Sequence, residues 1–431
     1  MRNAINPDSE SDLMIDRAIP GASRIGWLRW RMLIGTMFCY LFYYTGRQTF
    51  GFAIPGIQSE LGLSKTNLGW VSTAMLWSYA LGQAINGNLG DKYGGRRMVT
   101  LGAFLSCGLN WLVSFAHGFG LLALGWSANG FAQSMGWAPG SRVLSNWWPH
   151  SKRGKAFGLY VFAAGLASAV AYATSNIVLQ AGLGWRWIFR LPVLLMLLGG
   201  SVYFILVRDR PSELGLSNDL NSNSDWIDQP VSQESSLDRY KAALLNWRFM
   251  LASVAIGFQN AARYGLLVWV PVYFLGSSWK ANPLASWITI ALPVGMALGA
   301  VSSGWISDNL FSSNRSRPIV IFLLLAGLST GALFVVGRSH PATVIPLLFL
   351  SGFFVYGPQA PFWALCPDLL GKERAGTGTG VMNTFAYGFA GLNEPLIGYM
   401  IQHHQDNVAL VFPIVAVACV IGGLLAAMIR R

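Results

Sequence analysis

Apolar residues fall in blocks of roughly 20 separated by short polar stretches, and a block of that length is the unit of a membrane-spanning helix. The blocks predict twelve spans, near 31–53, 66–89, 97–117, 119–146, 155–180, 186–207, 249–275, 284–307, 318–337, 343–366, 375–401 and 408–429. One stretch breaks the rhythm. From Asn218 to Leu237 the chain is rich in Ser, Asp and Asn with no long apolar run, which reads as a solvated linker. The expected organisation is a tail over 1–30, a six-helix bundle over 31–207, a linker over 208–247 and a second six-helix bundle over 248–431.

Composition removes the soluble alternatives. Of 431 residues, 53% are hydrophobic and 11% are charged, against about 25% charged in a soluble domain. The 49 glycines lie within the spans as well as between them, as expected where small residues let membrane helices approach closely. Cys39, Cys107, Cys366 and Cys419 all fall inside predicted spans without paired spacing, so neither a disulfide nor a metal is expected of them, and no cofactor is implied.

A net charge of +12 could suggest nucleic acid, but its placement argues for topology. Twenty-two of the 30 Lys and Arg fall in the tail, the linker, the C-terminus and the loops on their side. The opposite loops carry only Lys65, Lys280 and Arg338, with Arg186 and Arg190 beside one span. The positive-inside rule then predicts a multi-pass protein of the inner (plasma) membrane with both termini cytoplasmic, its environment the lipid bilayer and no nucleic-acid partner. The first 25 residues are polar and lack an apolar core followed by a cleavage site, so no signal peptide is expected.

The two halves repeat. Arg47 lies 16 residues after Arg31 and Arg263 lies 15 after Arg248; each is followed eight residues later by a proline, Pro55 and Pro271. Arg47 to Asp91 is 44 residues and Arg263 to Asp308 is 45, while Arg153 and Arg374 follow the two arginines by 106 and 111. Landmarks in matching order point to a duplicated six-helix unit.

Those arginines are the sharpest chemical signal. Each sits about 24 Å along a helix from the preceding basic residue, too deep for snorkelling. Of 18 Asp and Glu, only Glu394 lies within a span away from the basic side. A deep cation costs about 2.5–3.5 kcal/mol, and no matching carboxylates are present to pair with two of them. An anionic substrate that neutralises both is the simpler account, and guanidinium forks suit phosphate oxygens. Helical spacing puts Tyr40 and Tyr44 on the face of Arg47, puts Gln259 and Asn260 beside Arg263, and pairs Tyr79 with Gln83 and Asn383 with Tyr387. Trp147, Trp148, Trp185 and Trp187 are expected in interfacial belts. No metal spacing or Ser-His-Asp constellation lies within the spans, so an enzyme is not expected.

The loop after span two, Gly87-Asn-Leu-Gly-Asp91-Lys-Tyr-Gly-Gly-Arg96-Arg97, resembles the cytoplasmic signature of the major facilitator superfamily, with a degraded copy at Gly304-Trp-Ile-Ser-Asp308. The resemblance implies an all-α membrane protein with twelve transmembrane helices in two pseudo-symmetric six-helix bundles. It also implies a gate built on Asp91, Arg96, Arg97 and Asp308. Four further stretches resemble the organophosphate:phosphate antiporters: Tyr43-Tyr44-Thr-Gly-Arg47-Gln-Thr-Phe50 with Pro55; Met135-Gly-Trp137-Ala-Pro139-Gly-Ser-Arg142 with Asn146-Trp-Trp148 and Arg153-Gly154; Arg263-Tyr-Gly-Leu-Leu-Val-Trp-Val-Pro271; and Tyr356-Gly-Pro358.

By that resemblance Tyr40, Tyr44, Tyr79, Trp137, Tyr356 and Tyr387 match cavity aromatics. The expected function is a monomeric secondary transporter moving a phosphorylated or similar organic anion by alternating access, in exchange for inorganic phosphate. Three positions depart from the glycerol-3-phosphate members: Gln83, Ala164 and Pro293 stand where those carry Lys, His and Glu. An uptake carrier for a carboxylate, phosphonate or sulfonate therefore stays open, as does a transporter-like ligand sensor. The five histidines lie at helix ends or in loops, and Glu394 is placed near the outer end of span eleven, so exchange rather than proton symport is expected.

Overall fold

The computed structural model describes residues 22–148, 150–216, 236–276, 283–311, 314–338, 340–371 and 374–429; the side chains of Asp91 and Asp308 lie outside the described ones. Helix covers each of the twelve predicted ranges. Polar side chains start two of the helices: Ser64 accepts from the Asn67 amide at the head of span two, and Asn246 accepts from Phe249 at the head of span seven. Gly62, at a φ of 64°, closes the end of span one in the left-handed region where glycine is favoured. Within the expected linker Ser236–Leu245 forms a helix leading into span seven, and the polar stretch over 217–235 lies outside the described residues.

Several spans predicted as continuous are broken. Span one runs Ala22–Tyr43, passes through a 3-10 turn at Tyr44–Gly46, and resumes at Phe50–Leu61. Span four divides into Phe119–Gln133 and Trp137–Trp147, and span ten into Pro341–Tyr356 and Gln359–Leu370. Span seven, Trp247–Leu275, is unbroken through Arg263. A broken membrane helix is tolerated only where its freed backbone groups find partners in protein or water.

By length and apolarity alone, six helical stretches among the described residues qualify as spans: the fifth, sixth, eighth, ninth, tenth and twelfth. The other six carry the two arginines or the polar residues that meet across the molecule, so their polarity follows from inward-facing positions. Outward, large apolar side chains such as Leu124, Leu328 and Val335 are 70% or more exposed, as a lipid-facing surface requires.

The core is shared on one face and split on the other. Away from the termini, Phe52, Leu68, Tyr172, Val270, Ile397 and Val415 belong to a single apolar cluster drawn from both halves. On the terminus side each half has its own, one around Met32, Trp147 and Tyr203 and one around Phe249, Leu365 and Met382. The halves are sewn together along spans two and eleven. Lys65 pairs with Asp406 at 2.8 Å, Thr66 donates to Gln402 at 2.8 Å, and Thr73 donates to the Gly391 carbonyl at 2.6 Å. Glycines permit this closeness. A Cβ at Gly69 would meet the Glu394 carbonyl at 2.6 Å, one at Gly398 the Lys65 carbonyl at 2.4 Å, and one at Gly51 the Val268 carbonyl at 2.4 Å.

Two expectations need correction. Trp147, Trp148 and Trp185 are buried rather than interfacial: the indole N–H of Trp147 donates to the Arg208 carbonyl, Trp148 packs edge-on to Trp30, and Trp185 donates to Glu60. Only Trp187 of that group is exposed. The continuous helix assumed to align Tyr40, Tyr44 and Arg47 does not exist, although the three still meet for a different reason.

Candidate substrate site

Midway along the halves, both arginines are buried, Arg47 6% exposed and Arg263 4%. Each lies over two tyrosine rings. The Arg47 guanidinium is 3.9 Å from the centre of Tyr44 and 4.9 Å from Tyr79; that of Arg263 is 4.2 Å from Tyr356 and 5.1 Å from Tyr264. The arrangement is symmetric in kind, with one ring from the arginine's own span and one from another span of the same half. Desolvated cation–π contacts are worth about 2 kcal/mol each, which offsets part of the cost of burying a guanidinium but leaves its hydrogen-bonding demand unmet. The Nε of each arginine has no partner.

Tyr44 ties the two together, because its ring lies under the Arg47 guanidinium at 3.9 Å while it lines the same space as Arg263. Across the halves Tyr79 lies 4.8 Å from Tyr387, which is 5.9 Å from Tyr264. Trp137, at the first residue after the break in span four, stacks on Tyr160 at 4.5 Å and reaches Tyr40 at 5.4 Å. These rings surround a small space of about 50 Å³ that Tyr40, Tyr44, Tyr79, Gln83, Trp137, Arg263, Tyr356 and Tyr387 all line. Arg47 faces an adjoining space with Gln48 and Tyr264. Among the described residues no carboxylate lines either one. An acid-free, aromatic-walled pair of buried guanidiniums is suited to holding an anion, since every other charge is excluded and the donors are fixed.

Of the ten residues expected here, nine border these spaces. Gln259 does not. Its amide N–H donates to the Val355 carbonyl at 2.8 Å and its oxygen accepts from Asn260 at 2.9 Å, so it braces span ten from behind. Gln359, Trp363, Asn383, Val161 and Ala164 complete the lining. Gln359 and Trp363 follow the Gly357-Pro358 break, the signal by which they could have been found.

The expected gate lies at the terminus side. The Arg96 amide donates to Asp209 at 2.8 Å, its Nε donates to the Phe204 carbonyl at 2.7 Å, and its guanidinium lies 4.1 Å from the Phe204 ring, all within its own half. Arg97 is exposed. On the opposite face a vestibule of about 750 Å³ is lined by both halves, with Glu60, Lys65, Arg338 and Asp406 among its walls. Its floor is closed where Gly51 abuts Val268 and where the Tyr172 hydroxyl donates to the Leu267 carbonyl at 2.6 Å. Glu394 is fully buried beside this seam, one carboxyl oxygen accepting from the Trp269 indole at 2.9 Å and the other without a partner.

A buried site between paired helical halves is the arrangement of a membrane carrier. The chain belongs to the Major Facilitator Superfamily, whose model matches residues 36–392. It is a multi-pass membrane protein of a transporter family, not an enzyme. Within that family it is akin to organophosphate:phosphate antiporters: it is 28% identical over 384 residues to a probable hexose phosphate transport protein of Chlamydia pneumoniae, covering 83% of this chain and 82% of that one. It is 26% identical over 423 residues to the glycerol-3-phosphate transporter of Bacillus subtilis, covering 94% and 93%. The membrane sensor protein UhpC of Salmonella typhimurium is 27% identical over 432 residues, covering 99% and 96%. In fold it is similar to a bacterial homologue of the lysosomal transporter Spinster, at a TM-score of 0.71 and 13% identity over 93% of this chain and 95% of the other.

Proposed function

We propose that the chain carries a phosphorylated or similar organic anion across the inner membrane, holding it between Arg47 and Arg263, and that it exchanges this anion for inorganic phosphate. The observation that carries the reading is the convergence of two buried guanidiniums, one from each half, on acid-free aromatic space with their Nε donors unpartnered. Binding an anion there neutralises a charge from each bundle and draws the bundles together. The relatives that act on hexose phosphate and glycerol 3-phosphate support the substrate class. The basic loops support cytoplasmic termini. With that orientation the shared core lies outside and the split cores inside, so residues 31–207 and 248–431 would part on the cytoplasmic side. Asp91, Arg96, Arg97 and Asp308 then stand where a cytoplasmic gate must make and break contacts. The chain works as a monomer in this scheme.

Purified protein in phosphate-loaded proteoliposomes should take up labelled phosphate only against a trans anion, and the uptake should persist when an ionophore collapses the pH gradient. Hexose phosphates or glycerol 3-phosphate should compete. Uptake into empty liposomes driven by an acid-outside gradient and abolished by Glu394→Gln would overturn exchange in favour of proton symport. Likeness to a membrane sensor along nearly the whole chain favours a second reading, in which the same site binds a phosphate ester without moving it; binding with no flux in the same vesicles would select it.

A further inference from the structure

The break in span one frees backbone carbonyls in the membrane interior, and the side chains that take them up come from one place. The Gly46 carbonyl accepts from the amide of Asn129 at 2.7 Å and from that of Asn110 at 3.1 Å, and the Tyr43 carbonyl accepts from Gln133 at 3.0 Å. The three amides are cross-linked. Asn129 Oδ1 accepts from Ser106 at 2.6 Å and from Asn110 at 3.1 Å, and Gln133 donates to the Ser106 hydroxyl at 2.8 Å. All four side chains, from spans three and four, are at most 2% exposed, and none of them lines the site. Glycine at 46 lets them close over the turn, because a Cβ there would lie 2.5 Å from the Gln133 amide, 2.7 Å from the Met196 sulfur and 2.8 Å from the Ser106 hydroxyl, and these side chains would have to shift.

Immediately after Gly46 the chain places Arg47 at φ −141° and ψ −30°, outside the helical region. We infer that Asn129 and Asn110 are positioning residues for substrate binding: by holding the Gly46 carbonyl they fix the non-helical turn that presents Arg47 to the anion. In an apolar interior the alternative for that stretch is to regain helical hydrogen bonds. That would rotate Arg47 about the helix axis, away from Tyr79 and from Arg263. The inference rests on the proposed role of Arg47, and its test separates the two.

The variant is Asn129→Ala, and the control is Asn86→Ala, an equally buried asparagine that donates to Ser134 and the Phe131 carbonyl in span four and does not touch the break in span one. Two readouts are taken on full-length protein in detergent. Hydrogen exchange of a peptide covering residues 44–50 needs no ligand and should change at least fivefold in Asn129→Ala but not in Asn86→Ala. Phosphate affinity, read from thermal stabilisation, should fall at least tenfold in Asn129→Ala and stay within twofold in Asn86→Ala. Unchanged exchange in the 44–50 peptide, or equal loss of affinity in both variants, overturns the inference. If wild type shows no stabilisation by phosphate while the exchange difference is present, the proposed substrate fails and the control of the break stands. Asn110→Ser, which removes one of the two donors, gives the same two readouts with smaller changes should Asn129→Ala not accumulate in the membrane.

Discussion

Arg47 and Arg263 occupy matching places in the two halves, yet the helices that carry them are built differently. Span one is interrupted at Arg47 and depends on side chains of spans three and four for its freed carbonyls. Span seven runs without interruption from Trp247 to Leu275; Pro271 leaves the Leu267 carbonyl to the Tyr172 hydroxyl, but the turns around Arg263 itself stay helical. Near-equal burial and the same two-ring environment are therefore reached by two routes, one set by tertiary contacts and one by local helix. The difference teaches that a duplicated unit can keep the chemistry of a position while the support beneath it diverges. It also means the two arginines should respond alike to changes in their own side chains and differently to changes in their backbones.

The largest effect should come from the side chains themselves. Arg47→Lys and Arg263→Lys each keep the charge but lose the planar fork, and each should weaken phosphate binding by more than tenfold while the protein still inserts and folds. Near-normal affinity in both, measured by ligand-dependent thermal shift, would dissolve the symmetry on which the comparison rests.

A methyl group then separates the two supports. Gly46→Ala drives a Cβ into the fixed amide of Gln133 and should cost about 1–3 kcal/mol, as overpacking does. Gly265→Ala, two residues after Arg263, meets first the flexible end of Ile397 at 2.9 Å, and in a continuous helix the change gains up to about 1 kcal/mol of propensity. Its net effect should lie within about 1 kcal/mol. Denaturation of the two variants side by side would show it, and equal losses would mean that the break is not the weaker support.

The smallest effect concerns the vestibule, at the last turn of span one beyond the stretch 31–53 predicted to cross the membrane. Glu60 accepts from Arg186 and Trp185, and these hydrogen bonds hold its carboxyl below the usual 4.5. A depressed folded value stabilises above the unfolded pKa and is lost as pH falls through the folded one. The contact should therefore be indifferent to pH near neutrality and loosen only once the pH falls below the ordinary carboxylate range. For so exposed a pair the loss should be slight. Glu60→Gln should erase that acid limb in a melting-temperature profile, and a shift near neutrality would assign the titration elsewhere.

Much of this was legible in the chain. Helix positions follow from apolar run length, and the pairing of Arg47 with Arg263 follows from the repeat and from the scarcity of acids. The break in span one was not legible, because Tyr44-Thr-Gly-Arg47-Gln-Thr49 holds no proline and reads as more of the same span. What breaks it lies some 60 to 90 residues further on, in amides whose reach only the folded arrangement reveals. A signal existed all the same: Asn110, Asn129 and Gln133 are uncharged polar groups in the middle of apolar spans, which are retained only for a partner. Gln259 was misjudged because helical spacing gives the face of a residue and not the carbonyl that its amide has already taken. The tryptophans misled for a related reason, since an indole N–H is as well satisfied by a buried carbonyl as by the membrane interface.

The glycines along the seam of spans two and eleven have a consequence for how this sequence can vary. At Gly69 and Gly398 backbone meets backbone across the halves, so no side chain can yield to make room. A comprehensive substitution library, selected for transport, should show intolerance at these two sites as severe as at the arginines although neither touches an anion. Gly388, in the same helix with open space around it, should accept alanine freely. Conservation in a carrier of this kind would then trace two separate lines, one around its cargo and one along the closure that both faces must share in turn.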